Sequence, residues 1–203
     1  MTGIIDYGVG NLFSLKSSLA YIGEDCVVSA DVDLLHQTDR VILPGVGAFG
    51  DAAEKLGKQK LDLFIRREVE SGKPLLGICL GMQLLFDSSE EFGVHQGLGL
   101  LTGHIVSMEG RIPTHLKIPH IGWNELIKKR EHVILKGIAD HSCVYFVHSF
   151  YADECEESLV ASTEYGRELT AVVAKENVMG CQFHPEKSGR IGLQILKNFC
   201  EMR

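Results

Sequence analysis

The stretch "KPLLGICLGM" (73–82) decides how this chain folds and where its chemistry lies. Its apolar start predicts a strand over 73–79 that is buried on both faces, followed by a helix from Leu80 to about Ser88. At the junction, "GICLG" (77–81, the elbow) has the pattern G-x-C-x-G. Glycines two before and two after Cys79 permit the sharp strand-to-helix turn that raises a nucleophile above a sheet.

Cys79 is therefore the candidate nucleophile. The turn places it at the start of the predicted helix, where unpaired N–H groups favour the thiolate, the form of the side chain that attacks. A buried packing cysteine with chance glycines is the alternative, because the chain contains 22 glycines. The other five cysteines show no C-x-x-C spacing, which indicates reduced thiols with packing roles; they lie at positions 26, 143, 155, 181 and 200.

A general base for this thiol is offered by "QFHPE" (182–186), which follows a late apolar run. Pro185 favours an extended backbone at His184, and side chains two residues apart on an extended chain point to the same face. Glu186 can then hold the imidazole Nδ1–H and leave Nε2 facing the sulfur. An exposed turn is the alternative for this short motif. The interpretation depends on His184 and Cys79 both following strands, because ligands bind at the carboxyl ends of strands in open α/β sheets.

Around the elbow, the first half of the chain alternates between strands and helices. Short apolar runs predict the strands, and segments with helical periodicity predict the helices. The strands are predicted at 3–6, 26–30 and 40–45, and the helices at 11–23, 31–37 and within the amphipathic segment 48–71. This alternation predicts an α/β fold with an open, mostly parallel sheet and helices on both faces.

The second half of the chain is mostly strand. Runs such as "CVYFVHSFYAD", "ELTAVVAKE" and "VMGCQFHP" follow one another with turn signals between them, which predicts antiparallel strands added to the sheet. A last helix is predicted from about Gly189 to Glu201. The chain has no linker, repeat or low-complexity tract, and we interpret residues 1–203 as a single domain.

The stretch "LPGVGAFG" (43–50) has glycines at the G-x-G-x-x-G spacing of a dinucleotide-binding turn. Such a site needs an acidic residue at the end of the next strand, but here that strand ends in Cys79. An acyl-transfer site instead needs a second backbone N–H, beside the one that follows the nucleophile, to hold an oxyanion. We therefore interpret the stretch as an oxyanion loop, with a nucleotide-binding module as the competing hypothesis.

The composition of the chain disfavours several classes of partner. The formal net charge of −7 gives no electrostatic support to a nucleic-acid or anionic-membrane partner. No apolar run approaches the roughly 20 residues of a spanning helix, and the start "MTGIIDYG" has neither a basic leader nor an apolar h-region. We expect a cytoplasmic protein. Because there is no H-E-x-x-H motif and no finger-like spacing of Cys and His, we expect no metal or other cofactor.

Taken together, "PGVGAFG", "GICLGMQ" and "CQFHPEKSG" resemble the class I (triad) glutamine amidotransferases, with motifs in the same order and spacing over essentially the whole chain. The stretches "IIDYGVGNL", "PHIGWN" (119–124) and "YFVHSF" (145–150) are further similar to the glutaminase subunits of imidazole glycerol phosphate synthases, which act in histidine biosynthesis. The resemblance implies hydrolysis of glutamine to glutamate and ammonia through a cysteine thioester. It also implies that the ammonia passes to a separate cyclase subunit, a (β/α)₈ barrel of roughly 250 residues, in a heterodimer.

The resemblance also implies a role for each matching residue. Cys79 would be the nucleophile, His184 the general base and acid, and Glu186 the residue that orients the imidazole. The backbone of Leu80 and that of Val46 or Gly47 would bind the oxyanion. Gln83, with the backbone at His148, Ser149 and Phe150, would bind glutamine. Relatives often carry tyrosine where Phe150 stands, so any role of that hydroxyl is absent, whereas backbone recognition is kept.

Trp123, the only tryptophan, is the candidate anchor for the cyclase subunit, because aromatic residues are enriched in interface cores. A partly buried core position is the alternative for this residue. Two other functions also stay open from the sequence: a Cys-elbow hydrolase that acts alone, and the non-catalytic nucleotide-binding module. A lone hydrolase would need no partner for full activity, whereas the subunit would be nearly idle without the cyclase and its ligand.

Overall fold

The computed structural model describes residues 1–202. Its strands are β1 (Thr2–Ile5), β2 (Cys26–Ser29), β3 (Arg40–Leu43), β4 (Leu75–Ile78), β5 (Ser88–Ser89), β6 (His95–Gln96), β7 (His104–Ser107), β8 (His120–Glu125), β9 (Ile127–Lys128), β10 (Cys143–His148), β11 (Phe150–Asp153), β12 (Leu159–Glu164), β13 (Glu168–Lys175) and β14 (Val178–Cys181). Its helices are α1 (Leu12–Tyr21), α2 (Val32–His36), α3 (Phe49–Lys58), α4 (Leu61–Glu70), α5 (Leu80–Gln83) and α6 (Gly189–Cys200), with 3₁₀ turns at Val133–Leu135 and Pro185–Lys187.

The main sheet has eight strands in the order β2-β1-β3-β4-β14-β13-β12-β9. The first five of these strands are parallel, and β13, β12 and β9 extend the sheet through antiparallel pairs. The expected α/β fold, with a mostly parallel sheet and antiparallel strands from the second half, is confirmed. Strand β14 differs from a purely antiparallel addition, because it pairs in parallel with β4 and so joins the two halves of the sheet.

Two smaller sheets lie beside the main one. Strand β10 pairs with β8, and a four-stranded sheet has the order β11-β7-β5-β6. The continuous apolar run 143–153 therefore divides between two sheets, since β10 and β11 have different partners. The sequence pattern predicted the strands but not this division.

The residues of the central strands alternate between two helix-covered faces. Ile4 and Ile42 belong to one apolar cluster with residues of α1 and α6, whereas Ile5 and Val41 belong to a second cluster with residues of α2, α3 and α4. A strand covered on both faces has no solvent side, and β4 accordingly reads Leu-Leu-Gly-Ile. Among the described helices, none combines the length and apolar character needed to cross a bilayer.

Two of the predicted helical segments differ in the structure. The segment 48–71 forms α3 and α4, and between them Lys60 has a left-handed φ of 58°. The helix after the elbow, α5, ends at Gln83 rather than near Ser88. Beyond it, the backbone carbonyls accept hydrogen bonds from the segment 97–101 instead of from a continuing helix.

Candidate active site

Cys79 occupies the turn between β4 and α5 with an unusual backbone conformation, φ 55° and ψ −111°. A residue with a Cβ is strained in this conformation, and its surroundings have to hold it there. The Cys79 N–H donates to Cys181 O at 2.8 Å, which fixes the turn to the end of β14. The turn thus has the sharp strand-to-helix geometry that the glycine spacing predicts.

The elbow glycines are required by close approaches of the backbone. A Cβ on Gly77 would lie 2.6 Å from Gly81 O, and a Cβ on Gly81 would collide with Leu43 O at the end of β3. A Cβ on Gly45 would lie 2.8 Å both from Gly81 N and from the Tyr7 hydroxyl oxygen. The elbow and the glycine-containing loop that follows β3 (residues 44–48) therefore pack backbone against backbone.

His184 reaches the same edge of the sheet because β14 and β4 are parallel neighbours that end side by side. Its N–H donates to Tyr145 O at 3.0 Å, and its carbonyl accepts from Ser188 Oγ at 2.6 Å. Its Nδ1 lies 2.8 Å from Glu186 Oε1, and both side chains are 3% exposed. Residues Pro185–Lys187 form a 3₁₀ turn. Glu186 therefore reaches His184 across this turn, and not along the extended backbone that the sequence predicted.

The neighbours of His184 change its affinity for protons. Burial by itself lowers the pKa of His184, but its hydrogen bonds to Cys79 and Glu186, and their negative charges, raise it to about 9. At neutral pH the ring is therefore an imidazolium. Because a carboxylate oxygen can only accept from it, Nδ1 carries one proton toward Glu186, and Nε2 carries the proton that faces Cys79.

Two glutamine side chains hold a further donor against the sulfur. Gln182 Nε2 donates toward Cys79 Sγ at 3.8 Å, which stabilises negative charge there. Gln83 Nε2 donates to Gln182 Oε1 at 3.0 Å and to Phe150 O at 3.1 Å. Both amide hydrogens of Gln83 are thus in use, and its Oε1 is left as an acceptor. Gln182 was not predicted as a site residue, although it lies inside the motif "QFHPE", two residues before His184.

The glycine loop after β3 brings the predicted oxyanion residues to the elbow. Val46, Gly47 and Leu80 line a cavity of about 420 Å³ together with Cys79. Gly47 has a φ of 98°, a conformation in which glycine is favoured. Within residues 1–202, the N–H groups of Val46, Gly47 and Leu80 donate no backbone hydrogen bond. These three donors are available to an oxygen atom inside the cavity.

The same loop is unsuited to a phosphate group. Glu91 Oε2 accepts from the Phe49 N–H at 2.6 Å, which places a carboxylate at the N-terminus of α3. In a dinucleotide site the pyrophosphate occupies that position, so its charge would be repelled by Glu91. The last glycine of the motif, Gly50, makes room for the His95 ring, which a Cβ would approach to 2.6 Å. This geometry argues against the nucleotide-binding alternative.

The cavity continues from the sulfur to the start of β11. His148, Ser149 and Phe150 line it together with Gln83, and these are the residues predicted to bind glutamine. The structure adds four lining residues that sequence reasoning missed: Glu91, Phe92, Pro119 and Lys187. Glu91 is the one carboxylate among these lining residues. No local signal could have identified it, because acidic residues are common in loops and its position depends on the packing of α3.

Trp123 lies on β8 with its side chain 58% exposed, so it does not occupy a core position. Its ring meets Tyr145 edge-on, with 6.1 Å between the ring centroids. Ile121 is also 58% exposed and lies on the same face of the strand. Pro119, just before β8, lines the cavity. The exposed apolar face of β8 (Ile121 and Trp123) therefore begins two residues after a residue of the cavity lining.

The remaining cysteines lie in different surroundings from Cys79. Burial raises the pKa of the Cys181 thiol well above its usual range and that of Cys200 to about 11, so both stay protonated and inert. All six cysteines are free in the described part of the chain. Across those same residues, no group of three or more His, Cys, Asp and Glu side chains is arranged to hold a metal ion.

The class of protein follows from comparison with known families. Residues 3–202 match the family model of glutamine amidotransferase class-I, and the chain belongs to that family. A crystal structure of a glutamine amidotransferase has the same fold, with a TM-score of 0.76 at 18% sequence identity over 98% of this chain and 97% of that one.

Two relatives of much higher identity carry one name, imidazole glycerol phosphate synthase subunit HisH. The protein from Bacillus cereus (strain G9842) is 51% identical over 199 residues, which cover 98% of this chain and 93% of the relative. The protein from Caldanaerobacter subterraneus subsp. tengcongensis is 50% identical over 203 residues, which cover 100% of this chain and 98% of the relative. The resemblance inferred from the motifs is confirmed.

Proposed function

We propose that this protein hydrolyses glutamine to glutamate and ammonia as the glutaminase subunit of an imidazole glycerol phosphate synthase in histidine biosynthesis. The observation that carries the proposal is the meeting of Cys79, on its positive-φ turn, with the buried His184–Glu186 pair. The names of the relatives with about half of their residues identical support the pathway.

In the proposed reaction, the Cys79 thiolate attacks the side-chain amide carbon of glutamine and forms a C–S bond. The His184 imidazolium gives its Nε2 proton to the departing nitrogen, and ammonia leaves as the C–N bond breaks. Water then adds to the glutamyl thioester and gives a proton to the now neutral His184. The C–S bond breaks, glutamate is released, and the thiolate is restored. Glu186 holds the ring in one orientation throughout.

The oxyanion that forms in both steps needs donors at the amide oxygen. We propose the N–H of Leu80 and the N–H of Val46 or Gly47 for this role, since all three line the cavity and donate no backbone hydrogen bond within residues 1–202. Donors fixed in a buried site stabilise a developing charge more than mobile water does.

For the rest of the substrate, the lining of the cavity offers complementary groups. The Gln83 Oε1 is an available acceptor, and the backbone from His148 to Phe150 offers further hydrogen bonds. Glu91 is a carboxylate suited to the α-ammonium group of an amino acid. The Phe150 carbonyl accepts hydrogen bonds from the side chains of Gln83 and His148, and these two bonds need no hydroxyl group on residue 150.

We further propose that the ammonia passes to a separate cyclase subunit, a (β/α)₈ barrel, that binds at the exposed apolar face of β8. Trp123 is the proposed anchor, because its ring is exposed and its strand starts directly after Pro119, which lines the cavity where ammonia would form. Residues 1–203 form a single amidotransferase domain in this proposal, in a cytoplasmic heterodimer. The position of β14 between both halves of the sheet supports the single domain.

The central experiment measures glutamate release from glutamine by the protein alone, and then with the cyclase subunit and its nucleotide ligand added. We expect low activity alone and strong activation in the complex, with Cys79→Ala lowering the rate at least about 10⁴-fold. The exposed Cys143 provides a control, and Cys143→Ala should keep the full rate. Full activity of the protein alone would instead identify a hydrolase that needs no partner.

The interface is tested by the change Trp123→Ala. We expect the Kd for the cyclase subunit to rise at least about tenfold, since buried aromatic anchors carry a large share of interface energy. Tyr21→Ala is the matched control, because Tyr21 is 80% exposed and ends α1, outside both β8 and the cavity lining. Titration calorimetry measures both affinities. An unchanged Kd for Trp123→Ala would remove this residue from the interface.

A further inference from the structure

Strand β8 has an inner face that leads to the cavity. Its side chains alternate, so that Ile121 and Trp123 are exposed while His120 and Asn124 turn inward. His120 is 3% exposed. The proposed reaction gives neither inward residue a role, although both lie on the strand that carries the proposed partner anchor.

A chain of hydrogen bonds runs from this inner face to the cavity through two buried histidines. Asn124 Nδ2 lies 3.4 Å from His120 Nε2, and His120 Nδ1 lies 3.1 Å from His148 Nε2. His148 Nδ1 then lies 2.8 Å from Phe150 O. The chain therefore ends on a carbonyl at the cavity.

Both ends of the chain require the same direction of donation. Phe150 O can only accept, so His148 Nδ1 carries the hydrogen and its Nε2 accepts from His120 Nδ1–H. At the other end, Asn124 Nδ2 also donates to Glu164 O at 2.8 Å, so this atom is the amide nitrogen. Its second hydrogen faces His120 Nε2.

Burial keeps the rings of His120 and His148, the two histidines of the hydrogen-bond chain, neutral. It lowers the pKa of His120 to about 4 and that of His148 to about 3. A neutral imidazole has one donor and one acceptor nitrogen, so all nitrogens of the chain are satisfied in a single arrangement. The His120 ring is held by stacking on Phe146 and Tyr165, with centroid distances of 4.9 and 4.0 Å.

The carbonyl at the end of the chain also accepts from the Gln83 side chain. Gln83 Nε2 lies 3.1 Å from Phe150 O and 3.0 Å from Gln182 Oε1, and Gln182 in turn donates toward Cys79 Sγ. The position of this carbonyl therefore affects the orientation of the Gln83 amide, whose Oε1 is the acceptor available to the substrate.

We propose that His120 is a positioning residue, which fixes the Phe150 carbonyl and the Gln83 amide for glutamine binding through its hydrogen bond to His148. The inference rests on the proposed function, because glutamine is taken as the ligand of the cavity. The inner face of β8 would then hold the substrate-binding groups in place, although its own residues do not contact the substrate.

The test compares two substitutions in the complex with the cyclase subunit and its nucleotide ligand. His120→Phe keeps an aromatic ring between its neighbours and removes the donor. His120→Asn loses the ring and keeps an amide N–H near the position of Nδ1. For His120→Phe we expect the KM for glutamine to rise about fivefold, the effect of one lost hydrogen bond, with kcat within about twofold. His120→Asn should restore most of the wild-type KM.

The opposite pattern would overturn the inference. A normal KM in His120→Phe with an impaired His120→Asn would mean that His120 acts by packing alone, and an unchanged KM in both variants would mean that it has no role. If the wild-type complex released no glutamate, the proposed function would fail instead.

The hydrogen-bond chain is also tested without any substitution or substrate. NMR of ¹⁵N-histidine-labelled protein at pH 7 should give His120 and His148 as neutral Nδ1–H tautomers. An Nε2–H tautomer at either ring would break the chain and overturn the inference, whatever the activity of the complex.

Discussion

Cys79 has a side chain on a backbone with φ 55°, where glycine is favoured. Such a conformation costs about 1–3 kcal/mol, and the surrounding contacts have to offset it. The bond from the Cys79 N–H to Cys181 O and the tight packing at Gly81 do so. A plain packing cysteine would need no such arrangement, and the strain is therefore an argument for a functional sulfur.

The pairing of His184 with Glu186 predicts a pH dependence of the proposed reaction. The departing ammonia takes its proton from His184, whose pKa is raised to about 9, so kcat/KM should fall as the pH rises above about 9. Glu186→Gln removes the charge of this partner. We therefore expect the alkaline limb of the profile to move to lower pH in Glu186→Gln, together with a lower maximum.

Glutaminase assays of the complex between pH 6 and 10.5 measure both profiles. Both proteins keep Cys79, so a shift in the pH of the alkaline limb between them reports a change in the pKa of His184. An alkaline limb at the same pH in Glu186→Gln would show that Glu186 does not raise the pKa of His184.

Among the secondary-structure elements, α5 shows how tertiary contacts override a local pattern. The apolar residues after Gln83 favoured a longer helix, but the carbonyls of Leu84 and Phe86 accept from Leu98 and Gly99 instead. The helix ends where these long-range bonds begin. The amide at Gln83 is nevertheless fixed, because its side chain is held by Phe150 O.

The close packing of the elbow predicts opposite effects for two glycine substitutions. Gly81→Ala forces a Cβ against Leu43 O, a backbone atom that cannot move aside, and should lower the free energy of unfolding by about 3 kcal/mol or more. Gly57→Ala is the matched control in α3, with no atom within 4 Å of the new Cβ. It should raise the free energy of unfolding by about 0.5 kcal/mol.

Urea unfolding of the three proteins, followed by circular dichroism, gives these free energies. Equal effects of the two substitutions would mean that the elbow can relax away from β3, in which case the backbone-to-backbone packing does not constrain Cys79.

The break between α3 and α4 could have been predicted from the sequence. Buried positions in α3 end at Leu56, and those in α4 begin at Leu61, a step of five residues. A continuous amphipathic helix places its apolar residues three or four apart. The step of five, with Gly57 between, was the available signal for the turn at Lys60.

For the molecule as a whole, the two buried neutral histidines make stability depend on pH. His120 and His148 have a pKa of about 4 and about 3 in the folded protein, below the value of about 6.5 for an exposed histidine. Between these values the unfolded chain binds more protons than the folded one. Stability is therefore full above about pH 6.5 and is lost as the pH falls below it.

We expect each of these histidines to contribute about 1.4 kcal/mol per pH unit to the loss between pH 6 and 4.5. In His120→Phe, the slope of the free energy of unfolding against pH should be smaller by about 1.4 kcal/mol per pH unit over this range. Urea unfolding at a series of pH values measures both slopes. Parallel slopes for the two proteins would mean that His120 is already protonated in the folded state.

Local sequence patterns predicted most of the strands and helices and the residues that carry the chemistry. Apolar runs with helical or alternating spacing gave the parallel strands and their helices, and the glycines around Cys79 predicted its turn. These signals are local, because backbone sterics and side-chain periodicity act over a few residues. The order of motifs was sufficient for the family, which residues 3–202 match.

Which distant segments meet could not be predicted from these patterns and follows from the folded structure. The placement of β14 against β4 brings His184 to Cys79, the loop 90–94 brings Glu91 to α3, and β10 brings His148 to the inner face of β8. Each of these contacts joins residues that are far apart in the chain. Strand pairing and close packing depend on the shape of the whole core, which no short stretch of sequence contains.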